Sequence, residues 1–262
     1  MKPSRLYDAY IFDLDGTVYV GDALLPTVSE TLHYLRARDK RIVFLSNNPT
    51  HTRAQYAQKL TRLGLPTPPA DILNSSVVMV DFLQRELPHA RLFVIGEEPL
   101  CEELRAADFT LTENANETDA VIASFDRTFT YRKLQIAFDA IRAGARFFAT
   151  NADRYCPVPG GGEPDAAAII AAIEACTNTR VAAVVGKPST FMTNAILSLV
   201  RLPPARCIII GDRLETDVQM GLNAGMTSAL VLTGATSRET LAASAIRPTF
   251  VLEALADLIP DP

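Results

Sequence analysis

The sequence predicts an α/β fold in which parallel sheets are covered by helices, and three observations predict it. Short β-rich apolar runs alternate with helix-length amphipathic segments along most of the 262 residues. Several runs are apolar on both faces, as buried parallel strands are. Four of them end in polar residues, at the edge where open α/β sheets bind ligands.

Taken in order, Tyr10-Ile11-Phe12 is the first predicted strand. Val28, Leu32 and Leu35 then fall at helical spacing behind Pro26. A strand over Ile42–Leu45 precedes a helix carrying Tyr56, Leu60 and Leu63 behind Thr50 and Thr52. Further strands are expected at 92–95, 120–123, 146–149 and 181–185. Phe191, Ala195, Ile196 and Leu199 mark a helix behind Pro188, and strands at 207–210 and 229–232 close the series. Pro157-Val158-Pro159-Gly160-Gly161-Gly162 breaks both periodicities and reads as a loop, which could equally cover a substrate. No linker marks a domain boundary, but the polar motifs cluster before residue 50 and after residue 185.

Composition narrows the function. Apolar residues make up 48% and charged residues 21%, enough for a sizeable core. A formal charge of −5 argues against a general grip on nucleic acid, so an anionic partner must be held by a few placed groups. Cys101, Cys156, Cys176 and Cys207 form no Cys-x-x-Cys pair, and His33, His51 and His89 have no metal-ligand spacing. The opening Met1–Asp8 segment lacks the apolar core of a signal peptide, and no run approaches membrane-spanning length. The expectation is a cytoplasmic protein with a small-molecule partner and no membrane contact.

The densest chemical signal is Tyr10-Ile11-Phe12-Asp13-Leu14-Asp15-Gly16-Thr17. Side chains two apart on an extended segment point the same way, so Asp13 and Asp15 can address one substrate atom or one cation. A competing reading is a hairpin turning at Asp15-Gly16. A calcium loop is excluded, because with Gly16 at the turn its first ligand position falls on Ile11.

Groups at the other strand ends decide between those readings. Ser46-Asn47-Asn48 follows one strand, Gly186-Lys187-Pro188 another, and Gly211-Asp212-Arg213-Leu214-Glu215-Thr216-Asp217 a third. Each alone is an ordinary turn, helix start or cap. Together they supply what a phosphoryl group needs: a cation and hydrogen-bond donors for its oxygens, and clustered acids that a divalent ion would offset. Hard oxygen ligands select magnesium over zinc.

In this order the motifs resemble those of the haloacid dehalogenase-like phosphohydrolases, and their local sequences resemble the NagD-like branch. The resemblance implies a Rossmann-like, doubly wound catalytic core over residues 1–79 and 184–262, with an α/β cap inserted at about 80–183. It implies Asp13 as a nucleophile forming an aspartyl-phosphate and Asp15 as general acid and then base. Magnesium would lie on the Asp13 and Asp212 side chains and the Asp15 backbone carbonyl, with Asp217 supporting the site. Ser46, the Asn47 backbone and Lys187 would bind phosphoryl oxygens, and Thr17 would orient the nucleophile loop. Asn151, Asp153, Arg154 and Tyr155 are candidate cap contacts to a small phosphate ester such as a nucleotide, sugar phosphate, phosphoglycolate or pyridoxal phosphate. Dimerisation through the cap is a further expectation. A phosphomutase, or a binding protein that keeps the pocket without turnover, would present the same motifs; a dehalogenase would not need Asp15.

Overall fold

A computed structural model describes residues 2–158 and 160–260. Met1 of the expected leaderless start and Pro159 of the expected loop lie outside them. The chain divides into two compact units. The first runs to Ser46, resumes over Arg53–Leu73 and takes in the chain from Lys187 onward; the second comprises Asn47–Thr52 and Asn74–Gly186.

The first unit is built on a six-stranded sheet. Its order is Phe250–Leu252, Thr227–Val231, Cys207–Gly211, Ala9–Asp13, Arg41–Ser46, Ile72–Asn74. Ala9–Asp13 is parallel to both of its neighbours, with Ile11 opposite Ile209 on one side and Val43 on the other. From this central strand the chain moves outward in one direction, and after the second unit it moves outward in the other. The strand order therefore reverses beside Asp13, which is where doubly wound sheets open a ligand crevice.

Because Ala9–Asp13 is hydrogen-bonded on both edges, the hairpin reading at Asp15-Gly16 is corrected: no edge remains for the following segment to pair with. The hairpin forms later, between Tyr19–Val20 and Ala23–Leu24. Helix Val28–Arg36 buries Val28, Leu32 and Leu35, and helix Arg53–Arg62 buries Tyr56 and Leu60, as their spacing predicts. Tyr10, Phe12 and Phe44 pack in series in the same core, with ring centroids 6.1 and 6.2 Å apart.

The second unit has its own five-stranded sheet, ordered Ala183–Val184, Arg146–Ala149, Ala120–Ala123, Arg91–Ile95, Thr110–Leu111, and every pairing is parallel. The unit's main stretch opens at Asn74, a few residues ahead of the boundary expected near 80. Helix Ser75–Glu86 explains the difference. Its Phe82 lies edge-on to Phe148 of this sheet, 5.0 Å between centroids. The loop expected at 157–162 is also corrected: Tyr155–Val158 pairs antiparallel with Gly161–Pro164. A Cβ at Gly162 would come within 2.8 Å of the Tyr155 ring, so the glycine that breaks periodicity is what lets the two strands close. Among the described residues no helix is long and apolar enough to cross a membrane.

Leu32 is fully buried on the inner face of its helix. Leu32→Ala should lower unfolding free energy by about 2–5 kcal/mol, read from urea denaturation. A loss well under 1 kcal/mol on that roughly estimated scale would show that the helix does not close this core.

Candidate active site

Local folding explains how each acid reaches the crevice. Asp13 ends the central strand, and Asp212 follows Gly211 at the end of the neighbouring one. Asp217 lies in a single π-helical turn, Leu214–Val218, ahead of helix Gln219–Ala224. The wide turn returns its side chain toward the strand end, a use typical of π turns at functional sites. Lys187 and Ser46 belong to the same unit.

The structure brings Asp13, Asp212, Asp217 and Lys187 into one buried cluster. Carboxylate oxygens of the three acids lie within 4.8 Å of one another. The Lys187 ammonium donates to Asp13 Oδ1 at 2.5 Å and to Asp217 Oδ1 at 2.6 Å. Asp13 Oδ2 keeps no protein donor among the described residues. The Ala235 N–H donates to Asp212 Oδ2 at 2.6 Å, and the Arg213 N–H to Asp217 Oδ2 at 3.2 Å.

Three carboxylates against one ammonium leave two negative charges uncompensated. Burial alone would lower the Lys187 pKa, but Asp13 and Asp217 overcome it and hold the ammonium firmly protonated. Burial, with repulsion from Asp217 and Asp212, pushes the Asp13 carboxyl up against the pull of Lys187. Burial and Asp217 push Asp212 up to about 6. An all-oxygen donor set with this excess of negative charge fits a hard divalent cation.

Asp15 stands apart from that trio. It is half-buried, and burial raises its pKa against the pull of Lys59, Lys187 and Arg213. Thr17 is fully buried with its hydroxyl unpartnered among the described residues. Ser46 is buried, its Oγ 3.2 Å from the Tyr56 hydroxyl.

The remaining candidates lie in the second unit. Asn47 donates to Asp153 Oδ2 at 3.1 Å, and its carbonyl accepts from Ser75 Oγ at 2.6 Å. Asn151 is fully buried and donates to Asp165 Oδ1 at 3.1 Å and Asp153 Oδ2 at 3.3 Å. Asn47, Asn151 and Asp153 thus form a polar network inside that unit, while Arg154 and Tyr155 are exposed.

Sequence reasoning missed the glycines that make room for the acids. A Cβ on Gly234 would sit 2.0 Å from Asp212 Oδ2, and one on Gly211 2.1 Å from Asp217 Cγ. Gly16, at φ +83°, would meet Asp212 Oδ2 at 2.5 Å, so it serves the site as well as the turn. Thr233 locks the same corner by donating to the Gly16 carbonyl at 2.6 Å. The available signal was Thr233-Gly234 just after the predicted strand 229–232, a polar strand end like the others.

Residues 10–110 match the family described as haloacid dehalogenase-like hydrolase, and residues 184–258 match a second, HAD-hydrolase-like family. The chain is 39% identical to the sugar-phosphatase AraL of Bacillus subtilis, over 95% of this chain and 90% of that protein. It is 35% identical to phosphoglycolate phosphatase 1A of Arabidopsis thaliana, over 96% and 76% respectively. Its structure is similar to that of a 4-nitrophenylphosphatase from Thermotoga maritima, with TM-score 0.92, 35% identity and 96% of each chain covered. NagD from Escherichia coli K-12 superposes with TM-score 0.88 at 29% identity, over 98% of this chain and 100% of that one.

Two expectations follow from the crowded acids. Gly234→Ala should destabilise the protein by about 1–3 kcal/mol in chemical denaturation, because backbone and Asp212 must move apart; an unchanged midpoint would contradict the close approach. Between the ordinary 3.8 and about 6, folded Asp212 binds more protons than the unfolded chain, so stability falls as pH rises through that window. In chelator, lowering pH from about 6 toward about 4 should therefore raise the thermal midpoint of the native protein relative to Asp212→Asn. A difference that stays flat or reverses would refute the shift.

Proposed function

This chain belongs to the haloacid dehalogenase-like hydrolases, and from that membership we propose that it is a magnesium-dependent phosphatase of small phosphomonoesters. Asp13 is the nucleophile, and the observation carrying the reading is the buried cluster of Asp13, Asp212, Asp217 and Lys187. The named phosphatase activities of its relatives support a phosphomonoesterase, with sugar phosphates and phosphoglycolate as the first substrates to test. The first unit is the catalytic core, and the second is the cap that selects the leaving group.

The Asp13 and Asp212 side chains, with the Asp15 backbone carbonyl, would hold the cation, and Asp217 would support the site. Bound there, magnesium would offset the excess negative charge and draw electron density from the phosphoryl oxygens. Lys187 occupies Asp13 Oδ1 and leaves Oδ2 for attack on phosphorus. As that Oδ2–P bond forms, the ester P–O bond breaks, its electron pair stays on the leaving oxygen, and Asp15 delivers a proton to it. Burial raises the Asp15 pKa against the pull of Lys59, Lys187 and Arg213, the direction that suits this acid role. In the second half, Asp15 takes a proton from water as the water oxygen attacks phosphorus, and the Asp13–P bond breaks with its pair returning to the carboxylate. Ser46 and Lys187 bind phosphoryl oxygens. Thr17, fully buried in the turn after Asp13, orients the nucleophile loop.

Phosphate release should be strictly magnesium-dependent and abolished in Asp13→Asn; metal-dependent turnover surviving in that variant overturns the nucleophile assignment. Asp15→Asn should lose about 10²–10⁴-fold on alkyl phosphates and far less on activated aryl phosphates. Equal losses on the two ester classes would remove the acid role. An isomerised phosphate ester with no inorganic phosphate released would make the chain a phosphomutase.

A further inference from the structure

Helix Arg53–Arg62 turns Tyr56 and Lys59, three residues apart and so on one face, toward two parts of the first unit's site. Tyr56 reaches Ser46, as described above. Lys59 seats its ammonium 3.8 Å from the centroid of the Tyr19 ring. No carboxylate among the described residues pairs with that ammonium, so the aromatic face is its contact. A half-buried lysine directed at an aromatic ring is notable because an ammonium is strongly hydrated and usually stays in water.

Tyr19 is fully buried and tied to the turn that carries Asp15. Its N–H donates to the Leu14 carbonyl at 3.2 Å, and its carbonyl accepts from the Gly16 N–H at 2.8 Å. Asp15 and Tyr19 also form an isolated backbone bridge. The Asp15 carboxylate has no side-chain hydrogen bond among the described residues, so the backbone of this turn is what aims it.

We propose that Lys59 is a positioning residue for proton delivery: seated on the Tyr19 ring, it fixes the Leu14–Tyr19 turn and thereby the Asp15 carboxyl. This rests on the phosphatase reading above. A misaimed Asp15 carboxyl, its backbone carbonyl still in place, impairs the step in proportion to how much the leaving oxygen needs a proton and leaves phosphoryl binding intact. Alkyl esters should therefore suffer and activated aryl esters should not.

The test measures kcat and KM with magnesium on glycerol phosphate and on 4-nitrophenyl phosphate for the native protein, Lys59→Met and Lys59→Arg. Lys59→Met should lower kcat on the alkyl ester about tenfold, part of the roughly 10²–10⁴-fold that a general acid supplies, with KM on both esters and kcat on the aryl ester within about twofold. Lys59→Arg should restore most of the loss, because a guanidinium also stacks on an aromatic face. Equal loss on both esters, no loss on either, or an arginine variant no better than methionine overturns the proposal while leaving the phosphatase reading standing. Failure of the native protein to release phosphate from either ester overturns both. If Lys59→Met folds poorly by circular dichroism, Lys59→Gln carries the same expectation and the same refutations.

Discussion

Three carboxylates are buried around one ammonium that pairs with only two of them, Asp13 and Asp217, and the surrounding architecture answers to that crowding. Removing a single partner from a buried charge cluster costs several kcal/mol, so the positions of Asp13, Asp212, Asp217 and Lys187 are interdependent. The Ala235 and Arg213 N–H groups relieve part of the repulsion. The remaining excess of negative charge opposes folding and, for the same reason, favours a divalent ion and the phosphoryl group beside it. Polar groups left in mutual conflict at a site, inside an otherwise consistent fold, are the pattern expected where function has been put ahead of stability.

The fold meets that constraint with local devices. Reversal of strand order beside Asp13 opens the crevice, and parallel pairing of Ala9–Asp13 with both neighbours sets the Asp13 and Asp212 chain segments side by side. The π-helical turn delivers Asp217, and the absence of side chains at Gly16, Gly211 and Gly234 gives the carboxylates their space. Helix Arg53–Arg62 supports the same site from outside through Tyr56 and Lys59. Few of these parts are exchangeable one at a time, since each fixes a distance between charges.

Much of this was legible in the chain because it is written locally. Runs such as Ile208-Ile209-Ile210, apolar on both faces, have few places to go except a buried parallel strand, and a carboxylate placed directly after such a run must lie at the sheet's carboxyl edge. The helices over Val28–Arg36 and Arg53–Arg62 showed their inner faces by spacing alone. Information that depends on approach in space was not legible. Nothing local in Gly234 says that Asp212 will lie against it, and Lys59 reads as an ordinary polar position on an amphipathic helix. The short strands Ile72–Asn74, Thr110–Leu111 and Phe250–Leu252 are too brief for periodicity to mark them. At Gly160-Gly161-Gly162 composition spoke for a loop, whereas the pairing with Tyr155–Val158 turns on the room left at one missing Cβ.

In the proposed function, these distant segments meet so that Asp13 can carry the phosphoryl group. Rapid acid quenching of the native protein with magnesium and a phosphate ester, followed by peptide mass spectrometry, tests it most directly. A peptide containing Asp13 should gain the mass of a phosphoryl group, transiently and only with magnesium present. Release of inorganic phosphate with that peptide unmodified at every time point, or with the phosphoryl group on another residue, would contradict it.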